Sequence, residues 1–519
     1  MISAGVSARS VEPSALAAYA RARIADRAND NAVAVANYSA ALTLGSDATL
    51  VAFRAYRAGV DGGDYALALR AAQTLDRSGI VPPDAHLLLY IAAVRNRAWA
   101  EASNRLDQIG KQDGFDFVEP LFRQWLANLV GAVPKAGKRD LTAYAAESEA
   151  LLALSAPDET AGVAAIKVLW PTDPYRASTL RLAAAATLVA RDKRRAALPL
   201  LLGDDPSIAA ARDRVLRGKK VSGAIDTPAR GASFILARMA ADLMNPSAIR
   251  SAITIARLSV FADPSSAQAR LVAATALGVA GRHNEALSLI DAVQNDPVYA
   301  DLASSLRIDR LEALGLTDEA VTAATARAAR STNDMTRVAD IEVRRGRYAE
   351  GVVQYRRAIA KIGENNVSPQ LWLALGNALD LSGDWRSARP ILERALALAP
   401  DDARLLNQLG FGMADRGEDI GIAIGLLNKA NAARPDNAAI TDSLGWAEFR
   451  AGRIDRAVAI LERARILDPA EPEIAEHLGD VYWTAGRRIE ARYAWTGARA
   501  TATGEILARI DGKIARGLP

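Results

Sequence analysis

The side chains of this chain that could do chemistry are three histidines and a few glycine-rich or acidic stretches. His86, His283 and His477 are scattered along 519 residues. No two of them stand at the spacing of a metal-binding helix, and none marks a catalytic triad. Because the sequence has no cysteine, thiolate metal sites, cysteine nucleophiles and disulfides are excluded. We therefore expect structural histidines and predict no catalytic residue, metal or cofactor.

Two glycine-containing stretches resemble nucleotide-binding motifs but depart from them. In residues 131–138, five residues separate the glycines, and Arg139 stands where a phosphate loop needs Ser or Thr. Gly410 and Gly412 fall inside a predicted helix, whereas a dinucleotide-binding loop follows a strand. Acidic pairs such as Asp401-Asp402 precede predicted helices, where carboxylates meet free N–H groups. An enzyme is therefore the least favoured function.

Charge and hydropathy argue against nucleic-acid binding and against a membrane span. The 64 basic and 60 acidic residues leave a net charge of +4, without the basic clusters of a nucleic-acid-binding protein. The longest apolar runs, at 87–94 and 182–190, are far shorter than the roughly 18 residues that span a bilayer. We expect no nucleic-acid partner and no membrane span.

The elements that must position any functional side chain are set by a repeat near the C-terminus. Successive Leu-Gly pairs are separated by 34, 35 and 34 residues, which is the tetratricopeptide period. The glycines of these pairs are Gly376, Gly410, Gly445 and Gly479. Each is followed seven residues later by a turn glycine, and then by small residues that recur with the same period.

Each repeating position has a mechanical reason. A small side chain where two antiparallel helices cross lets their backbones approach. Large residues should fill the space that the small ones leave. These large residues are Leu392, Leu427, Leu461 and Trp495. The sequence therefore predicts an all-α fold, a tetratricopeptide-repeat right-handed superhelical solenoid of antiparallel helix pairs.

Weaker repeats extend this pattern to the N-terminus. Ala34, Ala68 and Ala102 stand 34 residues apart, as do Gly281 and Gly315. The period lapses in between, where we predict degenerate helices with a flexible joint near 219–230. A polar helix at 505–517 should close the last apolar face. The predicted segments are N-terminal repeats at 1–130, degenerate repeats at 131–230, divergent repeats at 231–365, and regular repeats with a capping helix at 366–519.

The C-terminal third resembles a family of proteobacterial tetratricopeptide-repeat proteins. The motifs that carry the resemblance are 406–411 (LNQLGF), 442–446 (DSLGW), 477–483 (HLGDVYW), 490–492 (EAR) and the closing Gly517-Leu518-Pro519. The resemblance covers about 346–519. It implies the helical-repeat fold and an exported, periplasmic protein. Residues 1–8 carry neither a basic nor an apolar signal region, so a cytoplasmic location is the alternative.

The repeat also predicts a binding surface. The first helix of each pair lines the concave face of such a solenoid. We expect the following groove residues to bind a partner: Asn377, Asp380, Arg404, Asn407, Phe411, Asp442, Trp446, Phe449, Glu473, Glu476, Asp480 and Trp483. This lining is aromatic and mostly acidic, so a protein or peptide with basic and apolar residues should suit it. The alternative for Trp446 and Trp483 is packing between neighbouring repeats.

A familiar lysine-asparagine arrangement that holds a C-terminal carboxylate is not expected, because Leu373 and Gln408 occupy the corresponding positions. The favoured function is a non-catalytic adaptor that recruits a protein segment, in envelope or secretion-related assembly. The alternative is a structural module that associates with further copies of itself.

Overall fold

The computed structural model describes residues 14–518, except 29, 46–48, 113, 130–141, 170–172 and 329–331. Across these residues the regular elements are 29 α-helices and three short 3-10 helices, with no strand. The predicted all-α fold of paired helices is confirmed. The stretch 131–138, which resembles a phosphate loop, lies outside the described residues, as does part of the proline-rich loop after residue 169.

The chain forms two compact units, residues 1–316 and residues 317–519. This division falls within the predicted 231–365 segment. The helices of the first unit are α1 (Ala15–Arg27), α2 (Asn31–Thr43), α3 (Thr49–Gly62), α4 (Tyr65–Arg77), α5 (Pro83–Arg95), α6 (Trp99–Ile109), α7 (Glu119–Leu129), α8 (Thr142–Ala153), α9 (Thr160–Leu169), α10 (Pro174–Ala190), α11 (Arg194–Ala197), α12 (Pro206–Leu216), α13 (Pro228–Asp242), α14 (Ile249–Ala262), α15 (Ala267–Val279), α16 (His283–Asp291) and α17 (Ala300–Ala313).

Some helices of the first unit lie in its interior. Helix α5 is buried along almost its whole length because α13 and α14 pack on it in addition to its sequence neighbours. At the contact of α7 and α13, Gly231 lies against the indole of Trp125, so closely that no Cβ would fit. Arg282 pairs with Asp61 at 2.6 Å, which ties α16 to a helix more than 200 residues earlier.

The segment 219–230, for which the sequence predicts a flexible joint, packs within this unit. Val221 and Ile225 are buried, and the Ile225 amide donates to the Thr187 hydroxyl at 2.9 Å.

The second unit is a run of helix pairs in which each helix packs on the next. Its helices are α18 (Thr317–Ala328), α19 (Thr332–Arg344), α20 (Tyr348–Ile362), α21 (Pro369–Leu381), α22 (Trp385–Leu398), α23 (Ala403–Asp415), α24 (Ile420–Ala433), α25 (Ala438–Arg450), α26 (Ile454–Leu467), α27 (Pro472–Thr484), α28 (Arg488–Arg499) and α29 (Gly504–Arg516). The three 3-10 helices of the chain are Asp116–Val118, Leu198–Leu200 and Glu364–Asn366.

The glycines of the Leu-Gly pairs make the close helix contacts that the sequence predicts. A Cβ on Gly376 would meet Leu392 at 2.5 Å, and a Cβ on Gly410 would meet Leu427 at 2.8 Å. In the last repeat, Trp495 takes the place of the leucine. Turn glycines such as Gly452, with φ of 76°, end the first helices in a left-handed conformation that L side chains rarely adopt.

Candidate functional site

All twelve predicted groove residues lie on the first helices of four successive repeats, α21, α23, α25 and α27. We call the surface formed by these four helices the groove face. Successive first helices lie in contact, as α23 and α25 do, so a side chain on one can reach the next. That these twelve residues bind a partner stays a prediction, and the contacts below show which of them have free polar groups.

Asp380, on α21, is tied to the next repeat. Its carboxylate accepts from Arg416 at 2.6 Å and from the Gln408 amide at 3.2 Å. Burial raises the pKa of Asp380 and outweighs the opposing effect of the Arg416 charge. This carboxylate therefore already has a cationic partner within the chain, the role that the sequence predicts for a basic ligand.

Asp442 and Trp446, on α25, are engaged in the same way. His477 Nδ1 lies 2.9 Å from Asp442, and the imidazole stacks on the Trp446 ring with centroids 4.3 Å apart. The Trp446 indole nitrogen donates to Asp415 at 3.0 Å. Burial lowers the pKa of His477, but the Asp442 carboxylate outweighs it, so the pKa lies above its ordinary value. Trp446 thus contacts residues of both neighbouring repeats.

Glu476 and Asp480, on α27, lie beneath the last helix. Lys513 of α29 is 2.6 Å from each carboxylate, and Arg509 adds a second bond to Glu476 at 2.9 Å. The two acidic residues are only 2% and 5% exposed. Burial raises the pKa of Glu476, but the two cations outweigh it and hold the pKa below its ordinary value. The predicted capping helix therefore covers the acidic end of the groove face.

Trp483 is covered from two sides. The Arg488 guanidinium lies 3.9 Å from its ring centroid, and Gly517 contacts the ring so closely that no Cβ would fit. Glu473 is exposed at the start of α27. Of the five acidic residues in the predicted lining, only Glu473 has a side chain without a bond or ion pair to the described part of the chain.

One open part of the groove face is a cavity of about 410 Å³ where α21, α23 and α25 meet. Its lining is Leu373, Asn377, Arg404, Asn407, Gln408, Arg434, Asn437, Ala439 and Ile440. Three of these, Asn377, Arg404 and Asn407, belong to the predicted set. Arg434 was missed because it ends a second helix, α24, which the repeat pattern places away from the groove. We call this the amide pocket.

Family models support the repeat assignment where the period is clearest. One described as tetratricopeptide repeat matches residues 369–411, and another with the same description matches 414–472 and 443–500. Residues 369–411 and 414–500 carry tetratricopeptide repeats. All twelve predicted groove residues lie within these matched ranges.

A relative from Pseudomonas aeruginosa, the TPR repeat-containing protein PA4667, is 40% identical over 89 residues. The match covers 17% of this chain and spans 15% of the relative's length.

Solved repeat structures are also similar to parts or all of this chain. The Cut9–Hcn1 hetero-tetramer of the APC/C is 17% identical, with a TM-score of 0.39, 97% of this chain covered and 96% of that one. MamA from Desulfovibrio magneticus is 20% identical, with a TM-score of 0.29, covering 34% and 95%. The protein TTC0263 of Thermus thermophilus is 21% identical, with a TM-score of 0.32, covering 36% and 100%.

Of the helices in the described ranges, none has the length and apolar character needed to cross a membrane.

Proposed function

We propose that this chain is a non-catalytic adaptor that binds a segment of another protein on the groove face of residues 369–500. Tetratricopeptide repeats stack into extended surfaces that such proteins use for binding. The observation that carries the proposal is the amide pocket, a cavity at the meeting of three first helices with polar side chains that have no partner within the described chain. Its setting is envelope or secretion-related assembly in the periplasm, in keeping with the resemblance noted above.

The contacts of the acidic groove residues argue against the basic partner that the sequence predicts. A basic partner would be attracted by free carboxylates, but Asp380, Asp442, Glu476 and Asp480 each contact a basic or amide side chain that lies two elements further along the chain. Since these pairs neutralise most of the acidic lining, the groove face retains little negative charge to bind lysine or arginine. Apolar anchors remain suited to the face, because Phe411 and Phe449 are only partly buried.

The test compares capture of proteins from the native cell extract by three immobilised full chains. Asn407→Arg fills the amide pocket with a long charged side chain. Asn428→Arg makes the same change at an exposed position of the second helix α24. We expect the unchanged chain and Asn428→Arg to retain at least one protein that Asn407→Arg does not retain. Circular dichroism should show the same helicity for all three chains. Equal capture by all three chains would contradict the groove assignment.

A further inference from the structure

The amide pocket has an unusual balance of polar groups. Its nine lining residues include two arginines, three asparagines and a glutamine, but no Asp or Glu. Asn437 uses its carbonyl oxygen to cap α25, and Gln408 donates to Asp380. The remaining groups are therefore dominated by hydrogen-bond donors.

Two amides in the pocket have no partner for their donors. The Oδ1 atoms of Asn377 and Asn407 are buried without a hydrogen bond. Their Nδ2 groups are not buried in this way, and the described chain supplies no acceptor for either. A ligand that accepts hydrogen bonds would satisfy these two Nδ2 groups, whereas the buried Oδ1 atoms could be satisfied only by a donor.

Two guanidinium groups flank these amides. Arg434 is exposed and forms no ion pair with the described part of the chain. Arg404 is half exposed and bonds only to Asp402, two residues earlier, so part of its planar group stays open. Exposed arginines bind carboxylates through paired, charge-assisted hydrogen bonds.

We propose that the amide pocket binds an acidic peptide segment, with a carboxylate held by Arg404 and Arg434 and main-chain carbonyls accepting from Asn377 and Asn407. This inference rests on the proposed function and assigns the chemistry of its partner. Leu373 and Ile440 provide an apolar wall beside the polar groups, as a peptide side chain requires. The pocket lining has no aromatic ring on which a nucleic-acid base could stack, which favours a peptide over a polynucleotide.

The test measures binding of fluorescein-labelled ten-residue peptides to the full chain by fluorescence polarisation. Three peptides share an alanine-leucine framework with blocked ends and carry Glu, Gln or Lys at the same positions. A fourth carries Gln with a free C-terminal carboxylate, so that a side-chain carboxylate and a terminal one are compared. A fluorescein-labelled oligothymidylate of ten nucleotides is the polynucleotide probe.

We expect the Glu peptide to bind about tenfold or more tightly than the Gln and Lys peptides, and more weakly as salt is raised. Arg434→Gln should remove that preference. Arg386→Gln makes the same change at an exposed position of the second helix α22 and should keep the preference for the Glu peptide. Tight binding of only the free-carboxylate peptide would place a chain terminus in the same pocket, with the same dependence on Arg434.

Preference for the Lys peptide or the oligothymidylate, an unaltered Glu preference in Arg434→Gln, or no binding of any peptide would overturn the proposal. These outcomes are distinct from failure of the proposed function. Loss of protein capture on Asn407→Arg, with no preference for the Glu peptide, would leave the groove assignment standing and remove only the acidic-partner chemistry.

Discussion

Gly445 lies so close to Leu461 that a Cβ on the glycine would meet the leucine Cγ at 2.6 Å. Gly445 is on α25 and Leu461 on α26, so this contact sets the distance between the two helices of one repeat. Equivalent contacts in the neighbouring repeats hold the first helices in place, and with them the side chains of the groove face.

Gly445→Ala should therefore destabilise the second unit by about 1–3 kcal/mol through overpacking. Gly425→Ala is the matched control, because Gly425 is also inside a helix but has open space around it. There, the better helix propensity of alanine should stabilise by up to about 1 kcal/mol. Urea unfolding followed by tryptophan fluorescence measures both. Equal effects of the two substitutions would mean that the contact with Leu461 does not limit the packing.

Lys513→Met should destabilise the C-terminal repeat by about 2 kcal/mol, because it leaves Asp480 without its cation and Glu476 with only Arg509. Arg499→Met removes an exposed pair with Asp511 and should cost under about 1 kcal/mol. The two free energies of unfolding are compared by thermal or urea denaturation. If both substitutions cost the same, the pairing beneath α29 adds nothing beyond a surface ion pair.

The stabilising effect of His477 should depend on pH. Burial lowers its pKa, but Asp442 outweighs that effect, so the folded-state pKa lies above the unfolded value of 6.5. A group of this kind contributes stability that is fully present below the unfolded pKa and is lost as pH rises through the folded pKa. His477→Gln lacks this contribution.

The difference in unfolding free energy between the unchanged chain and His477→Gln should therefore shrink as pH rises from below 6.5 to above the folded pKa. Urea unfolding at a series of pH values measures it. A difference that stays constant or grows with pH would show that the Asp442 contact does not favour the charged imidazole.

The sequence predicts the repeats well because their packing is local. The small residue at Gly445 and the large residue at Leu461 stand in one helical hairpin, so their spacing along the chain fixes their contact. The last helix was also predictable, as it follows directly on the final repeat.

The pairing of groove side chains was harder to predict. Lys513 meets Glu476 across 37 residues of sequence, and Asp442 meets His477 across 35. The repeat pattern indicates that these acidic residues share a face, but it does not identify the cation that contacts each of them. In the first unit, the burial of α5 by α13 depends on contacts between segments more than 100 residues apart, for which no repeat spacing exists.

Site-specific photo-crosslinking shows whether another protein lies on the groove face in the cell. The photoreactive residue p-benzoylphenylalanine replaces Phe411, which is partly buried on the groove face one helical turn after Asn407, or Ile466, an exposed residue of the second helix α26. Each full chain is irradiated in its native cells. We expect a discrete crosslinked protein from position 411 and none from 466. Crosslinking from 466 alone, or equally from both positions, would contradict binding of a partner on the groove face.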